Sequence, residues 1–214
     1  MRLIAIDGPA GAGKSTIARA LAGRLGLEYL DTGAMYRAVT FAAMHRGLAV
    51  DDAEAVAALA RSVTLDVGAA VVVDGVDATV AIRGPEVTKA VSAVAANSGV
   101  RSELVARQRA WAVAHDGGVV EGRDIGSVVF PDATLKLYLT ASPRTRAERR
   151  VAEAGGDVDQ MEAAIAERDR LDSTRGDSPL TRADGSVVLD TTGLTIDEVL
   201  AAIERMLADA SGKA

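Results

Sequence analysis

Leu3-Ile4-Ala5-Ile6-Asp7-Gly8-Pro9-Ala10-Gly11-Ala12-Gly13-Lys14-Ser15-Thr16 is the stretch that decides the fold. Leu3 to Asp7 reads as a short buried strand that ends in a turn. Gly8 to Gly13 is a loop, and Lys14 to Leu25 has helical periodicity until Gly26 stops it. Residues 8–15 fit G-x-x-x-x-G-K-[ST], with the apolar strand before and the helix after that this pattern requires. Glycines let such a backbone curl and turn its N–H groups inward around phosphate oxygens. The helix that follows presents its positive end to the same anion. A lysine at position 14 reaches β- and γ-phosphates, and a serine at 15 sets its hydroxyl on Mg²⁺. The expected nucleotide-binding set is therefore Gly8, Pro9, Ala10, Gly11, Ala12, Gly13, Lys14, Ser15 and Thr16, with Ser15 as the metal ligand.

Working outward, helices are expected at Ala34 to His45, Asp52 to Ala60, Val87 to Ala95, Arg101 to Ala114, Arg144 to Ala154 and Val158 to Leu171. A last helix opens at the capping box Thr195-Ile196-Asp197-Glu198 and runs to about Leu207, leaving Ser211 to Ala214 as a frayed tail. Val119-Val120 and Leu135 to Leu139 read as core strands, and Val187 to Leu189 as a late strand. Strands alternating with helices argue for an α/β protein, a P-loop NTPase three-layer sandwich with a central parallel sheet. Three short β-prone runs, Thr64 to Val67, Val71 to Val73 and Ala78 to Ile82, are set apart by Gly68, Asp74-Gly75 and Gly84-Pro85. They suggest a small β-rich insertion over 63–85 within a single domain spanning 1–214.

Composition narrows the classes. The chain has 214 residues, enough for one packed α/β domain, and 49% are hydrophobic while only 3% are aromatic, so the core must be Ala, Val, Leu and Ile. Cysteine is absent and there are 2 histidines, which removes disulfide scaffolds and Cys/His metal centres. A net charge of −6 argues against a nucleic-acid polymer as partner. No run reaches the roughly 18 apolar residues of a membrane span. The default expectation is a cytoplasmic protein. No Asn-Lys-x-Asp segment is present, which weakens a GTPase-switch reading, and the chain is short for a motor. Small-molecule kinases remain.

Three charged segments are candidates for a second substrate. In Asp31-Thr32-Gly33-Ala34-Met35-Tyr36-Arg37, Thr32 and Arg37 could face a phosphate, or the segment could be only a capped helix start. Glu121-Gly122-Arg123-Asp124-Ile125-Gly126 follows a core strand, where Arg123 could hold phosphate and Asp124 accept hydrogen bonds; the plain alternative is a salt-bridged turn. In Glu167 to Arg175, Arg168 and Arg175 lie seven apart and would share a face of a continued helix, or that face could simply be solvated.

These pieces together resemble bacterial cytidylate kinase over nearly the whole chain. The matching residues are Asp7 to Thr16, Asp31 to Arg37, Glu121-Gly122-Arg123-Asp124-Ile125-Gly126-Ser127-Val128-Val129-Phe130-Pro131-Asp132-Ala133, Glu167-Arg168-Asp169 and Ser178-Pro179-Leu180. The family often has Ser at position 32 and Asp at 121. The resemblance implies an enzyme that moves the γ-phosphate of ATP, with Mg²⁺, to CMP or dCMP. It implies Thr32, Arg37, Arg123 and Arg175 around the acceptor phosphate. It places Ser92, Arg107 and Asp124 at the cytosine edge and Arg168 and Asp172 at the sugar, with Arg168 also near the phosphates. A helical lid at 146–157 would bring Arg146, Arg149 or Arg150 to ATP. Lys14, Arg123, Arg168 and Arg175 would then carry the catalysis, in a monomer. Two readings stay open beside it: a kinase for another nucleoside monophosphate or small acceptor, and a nucleotide-binding switch module that is not an enzyme. They differ in whether Arg123, Arg168 and Arg175 converge on Gly13-Lys14.

Overall fold

The computed structural model describes residues 1–211, with side chains to 208. Residues 212–214 of the expected frayed tail lie outside the described residues. Five strands, β1 (Arg2–Asp7), β2 (Tyr29–Asp31), β6 (Gly117–Glu121), β7 (Leu135–Thr140) and β8 (Val187–Asp190), form one sheet in the order β2-β6-β1-β7-β8. Every neighbouring pair is parallel. A parallel sheet needs crossovers, and its strands are buried on both faces. β1 shows this in its alternation. Leu3 and Ala5 pack on one side with Leu30 and Val120, under α2 (Thr32–His45), α3 (Ala53–Ser62), α4 (Pro85–Ala96) and α5 (Ser98–Ala114). Ile4 and Ile6 pack on the other side with Ile17 and Leu21 of α1 (Lys14–Leu25) and Val199, Leu200 and Ile203 of α8 (Ile196–Ser211). Each such fully buried Leu or Ile contributes on the order of 1.5–3 kcal/mol. The three layers are those expected.

Polar side chains cap several helix starts. Asp31 accepts from the Ala34 N–H at 2.9 Å and starts α2. Ser142, followed by Pro143, caps α6 (Pro143–Ala154), and Asp157 caps α7 (Val158–Ser173). The Thr195 N–H donates to Glu198 at 2.8 Å and the Glu198 N–H returns to Thr195 at 3.3 Å, which is the expected capping box of α8.

Two expectations fail. β2 went unread because three residues with one buried side chain, Leu30, carry no period. The run Ala78 to Ile82 is not a strand. β3 (Leu65–Val67), β4 (Val71–Val73) and β5 (Val76–Asp77) form a separate antiparallel sheet. Asp74 and Gly75 both have positive φ, 49° and 81°, so the hairpin turns in two residues and Val76 already faces Val73. The pairing is therefore spent by Asp77. Its carboxylate accepts from the Thr79 N–H at 2.9 Å and curls the chain into a 3₁₀ turn at Ala81–Arg83.

Candidate active site

The loop after β1 lies at the carboxyl edge of the sheet, where open α/β sheets bind ligands. Gly8 passes so close to β7 that a Cβ there would stand 2.0 Å from the Leu139 carbonyl oxygen, which explains glycine at this position. Gly13 precedes α1 and gives it no side-chain cap, so the first N–H groups of the helix remain for an anion. Lys14 bends over the loop and donates to the Pro9 carbonyl at 2.8 Å.

A cleft of about 610 Å³ opens from this loop. Ala10 to Ile17 line it together with Thr32, Arg37, Ser92, Arg123, Asp124, Arg149, Arg150, Arg168, Asp172 and Arg175. Residues from five helices, α1, α2, α4, α6 and α7, and from their connections thus meet Gly13-Lys14 in one cavity. Asp172 links two of the cations: Arg123 Nε donates to it at 2.9 Å, and Arg175 stands 3.9 Å away. The helix α7 stops at Ser173, so Arg168 and Arg175 share no helical face; the turn after it, held by Arg175 Nη2 on the Ser178 carbonyl at 2.8 Å, brings Arg175 in. Thr32 gives its hydroxyl hydrogen to the Glu121 carbonyl at 2.6 Å. Arg37 donates to the Ile82 carbonyl at 3.0 Å and to Thr88 at 2.8 Å. Asp7 sits beneath the site and accepts from the N–H groups of Ile125 and Gly126 at 2.8 and 2.7 Å.

Gly8 and Pro9 open the loop and do not line the cleft. Two further expected contacts are corrected. Arg107 points away: it donates to the Ala60 and Val63 carbonyls, each at 2.9 Å, and pairs with Glu103, so its guanidinium closes the end of α3. The buried stripe of α5 is Val100, Arg101, Leu104, Gln108 and Ala112. Arg101, on that stripe, is the arginine that enters the cleft, where it is ion-paired to Asp124. Helical spacing alone could not have found it, since Arg101 stands three before Leu104 and Arg107 three beyond it. Arg146 also fails to line the cleft, because its guanidinium is taken by the Ala10 and Ala141 carbonyls and by Asp169. Tyr36, Arg83, Glu121 and the segment Leu194 to Ile196 line the cleft too, with no role expected of them beforehand.

The walls hold nine cationic side chains and five carboxylates, an excess of positive charge in a chain of net charge −6. Arg168 Nε and Arg175 Nε are buried without a hydrogen-bond partner, and such groups want an acceptor. Burial, then Arg123, pushes the Lys14 ammonium down to about 7. Burial with Arg123 and Arg37 nearby pushes Arg168 down to about 9. The Glu121 carboxyl is raised by burial and by Asp31, while Lys14 opposes the rise. Glu121 accepts from the Tyr29 hydroxyl at 2.5 Å and hydrogen-bonds Ser15. Burial lifts Asp7 to about 6 against its two backbone donors.

The cytidylate kinase family model matches residues 4–209. A cytidylate kinase from Corynebacterium efficiens is 50% identical over 208 residues, covering 92% of this chain and 90% of that protein. A bifunctional pantoate ligase/cytidylate kinase from Parasynechococcus marenigrum is 53% identical over 94% of this chain, but the chain spans only 42% of that protein's length. Among solved structures, a gluconokinase from Sinorhizobium meliloti (TM-score 0.53, 15% identity, 100% of this chain and 97% of that one) shares the fold. So does a shikimate kinase from Acinetobacter baumannii (TM-score 0.52, 14% identity, 98% and 94%). With its phosphate loop, its convergent arginines and a match over almost its full length, the chain belongs to the cytidylate kinase family.

Proposed function

We propose that the chain transfers the γ-phosphate of ATP to CMP and dCMP, giving ADP with CDP or dCDP. The observation that carries this is the convergence of Arg123, Arg168 and Arg175 on Lys14 in one cleft, two of them with buried, unpartnered Nε atoms. A switch module has no need of a second phosphate site beside the first.

The acceptor phosphate oxygen is already an anion, so no general base is required. Catalysis is then positioning and charge neutralisation. Arg37, Arg123 and Arg175, with Thr32, would hold the acceptor phosphate, and arginine suits this because its planar fork takes two oxygens at once. Arg168 and Asp172 would meet the sugar, with Arg168 reaching the phosphates. Ser92 and Asp124 would read the base, with Arg101 taking the part first expected of Arg107. On the donor side Lys14 and the loop N–H groups would hold the β- and γ-phosphates, flanked by Arg149 and Arg150. Residues 146–157 would serve as the lid, and 63–85 as the monophosphate-side insertion, of a single 1–214 domain.

Mg²⁺ fits the oxygens present: the Ser15 hydroxyl opens on the cleft beside the Glu121 carboxylate, a hard donor set. No group of three metal-ligating side chains occurs among the described residues, which suits an ion that arrives on the nucleotide. When bound, the ion neutralises β- and γ-oxygens of the nucleotide. No helix among the described residues is long and apolar enough to cross a membrane. A cytoplasmic monomer acting on free nucleotides is the reading that accompanies this activity.

The test is a steady-state assay with ATP and Mg²⁺ against CMP, dCMP, UMP, AMP, GMP and no acceptor. Turnover with CMP and dCMP well above the rest is expected. Preference for another acceptor would keep the kinase and overturn the base-reading residues, and acceptor-independent hydrolysis would overturn the kinase.

A further inference from the structure

Arg146 and Asp169 grip the phosphate loop from outside the cleft. Asp169 Oδ1 accepts from the Ala10 N–H at 2.9 Å. Arg146 Nη1 donates to the Ala10 carbonyl at 2.9 Å and pairs with Asp169 Oδ2 at 2.5 Å, while its Nε donates to the Ala141 carbonyl at 3.2 Å. One ion pair, with one partner on α6 and the other on α7, therefore takes both main-chain groups of a single loop residue. Neither side chain is more than 17% exposed.

Peptide planarity turns this grip into loop geometry. The C=O and N–H of one trans peptide unit point in opposite directions. Holding the Ala10 N–H towards Asp169 sends the Pro9 carbonyl the other way, where it receives Lys14 Nζ at 2.8 Å. Holding the Ala10 carbonyl towards Arg146 likewise aims the Gly11 N–H away from Arg146. Packing leaves no slack: Ala10 lies against Ala147 and Ile165, and a Cβ on Gly11 would stand 3.0 Å from the Arg146 Cβ and carbonyl oxygen. The same helix α7 carries Arg168, one position before Asp169, and Asp172, three beyond it, into the cleft.

We propose that Arg146 and Asp169 are positioning residues for the donor nucleotide, acting through the main chain of Ala10, and that α7 thereby couples the donor loop to the acceptor site. The inference rests on the kinase reading above for which ligand sits on which side. Coupling of this kind is reciprocal: each ligand must sharpen the affinity of the other by the same factor.

The experiment is calorimetric titration of the full chain with a non-hydrolysable ATP analogue plus Mg²⁺, with CMP, and with each in the presence of the other. Asp169→Asn and Arg146→Gln are expected to weaken binding of the analogue about tenfold or more, within the range of measured couplings. CMP affinity without nucleotide should stay within about twofold, and the mutual sharpening should fall towards one. Arg144→Gln is the control, since Arg144 pairs with Asp159 and Glu162 across the same two helices without touching the loop; it should bind as wild type. Should Asp169→Asn fail to fold by circular dichroism, Arg146→Lys, which keeps the charge and loses the fork, makes the same comparison. Unchanged analogue affinity in the loop-gripping variants, equal weakening of both ligands, or an equal loss in Arg144→Gln would overturn the inference. A wild-type chain that binds neither ligand overturns the kinase reading itself, and this inference with it.

Discussion

Arg101 and Arg107 lie six positions apart on α5 and face opposite problems. Arg101 is buried against Asp124, with the Tyr36 ring 5.6 Å from its guanidinium carbon, and borders the cleft. Arg107 closes the carbonyl end of α3. Arg101→Lys keeps the charge beside Asp124 but loses the fork. It should raise the KM for CMP about tenfold, the worth of one lost charge-assisted contact. Arg107→Gln should leave that KM within about twofold and cost roughly 1–2 kcal/mol of stability through the lost helix-end bonds. Steady-state kinetics and urea unfolding of both variants check this; a larger KM effect from Arg107→Gln would restore the original assignment. Both arginines look alike in sequence. Helical phase does not separate them, because Arg101 stands three before Leu104 and Arg107 three beyond it; only the packing of α5 does.

At the level of elements, the strand–loop–helix unit at the start of the chain was legible because all its determinants are contiguous. Gly8 shows the physical requirement. Its φ of +148° and the 2.0 Å approach to the Leu139 oxygen both exclude a side chain. Gly8→Ala should destabilise the fold by about 2 kcal/mol or more, as overpacking and backbone strain combine, read as a lower urea midpoint with an unchanged m-value. A midpoint within error of wild type would mean that β1 and β7 separate freely at this point. The small antiparallel sheet was half legible. Asp74-Gly75 announced a turn, but the two-residue hairpin that ends β5 at Asp77 depends on both φ values being positive, and sequence left the third strand two residues too late. β2 offered no signal at all, since a three-residue strand is made by its neighbour β6 and not by its own pattern.

At the level of the whole molecule, the cleft concentrates cations that a phosphate ligand would neutralise, and this ties stability to pH. Lys14 titrates near 10.5 when unfolded and about 7 in the folded chain. Between those values the unfolded state binds more protons, so the Lys14 contribution to stability is present above about 10.5 and is lost as pH falls through 7. Asp7 acts in the opposite sense: with its carboxyl raised from 3.8 to about 6, stability falls as pH rises across that window. The ligand-free chain should therefore gain stability from pH 7 to 9.5. Lys14→Met should flatten the rise, and saturating ATP analogue with Mg²⁺ should do the same by keeping the ammonium charged. Urea unfolding at several pH values measures this, and an equal slope in Lys14→Met would remove Lys14 as its source. The sequence by itself determined the phosphate loop, the layered α/β architecture and the family, because each rests on neighbouring residues and on periodicities that survive in one dimension. Tertiary structure alone decided which arginines face the cleft, that Arg107 and Arg146 do not, and that Asp172 stands between Arg123 and Arg175. Those facts depend on the closing of a parallel sheet whose crossovers bring positions as distant as 14 and 175 together, and no local pattern records where a crossover ends.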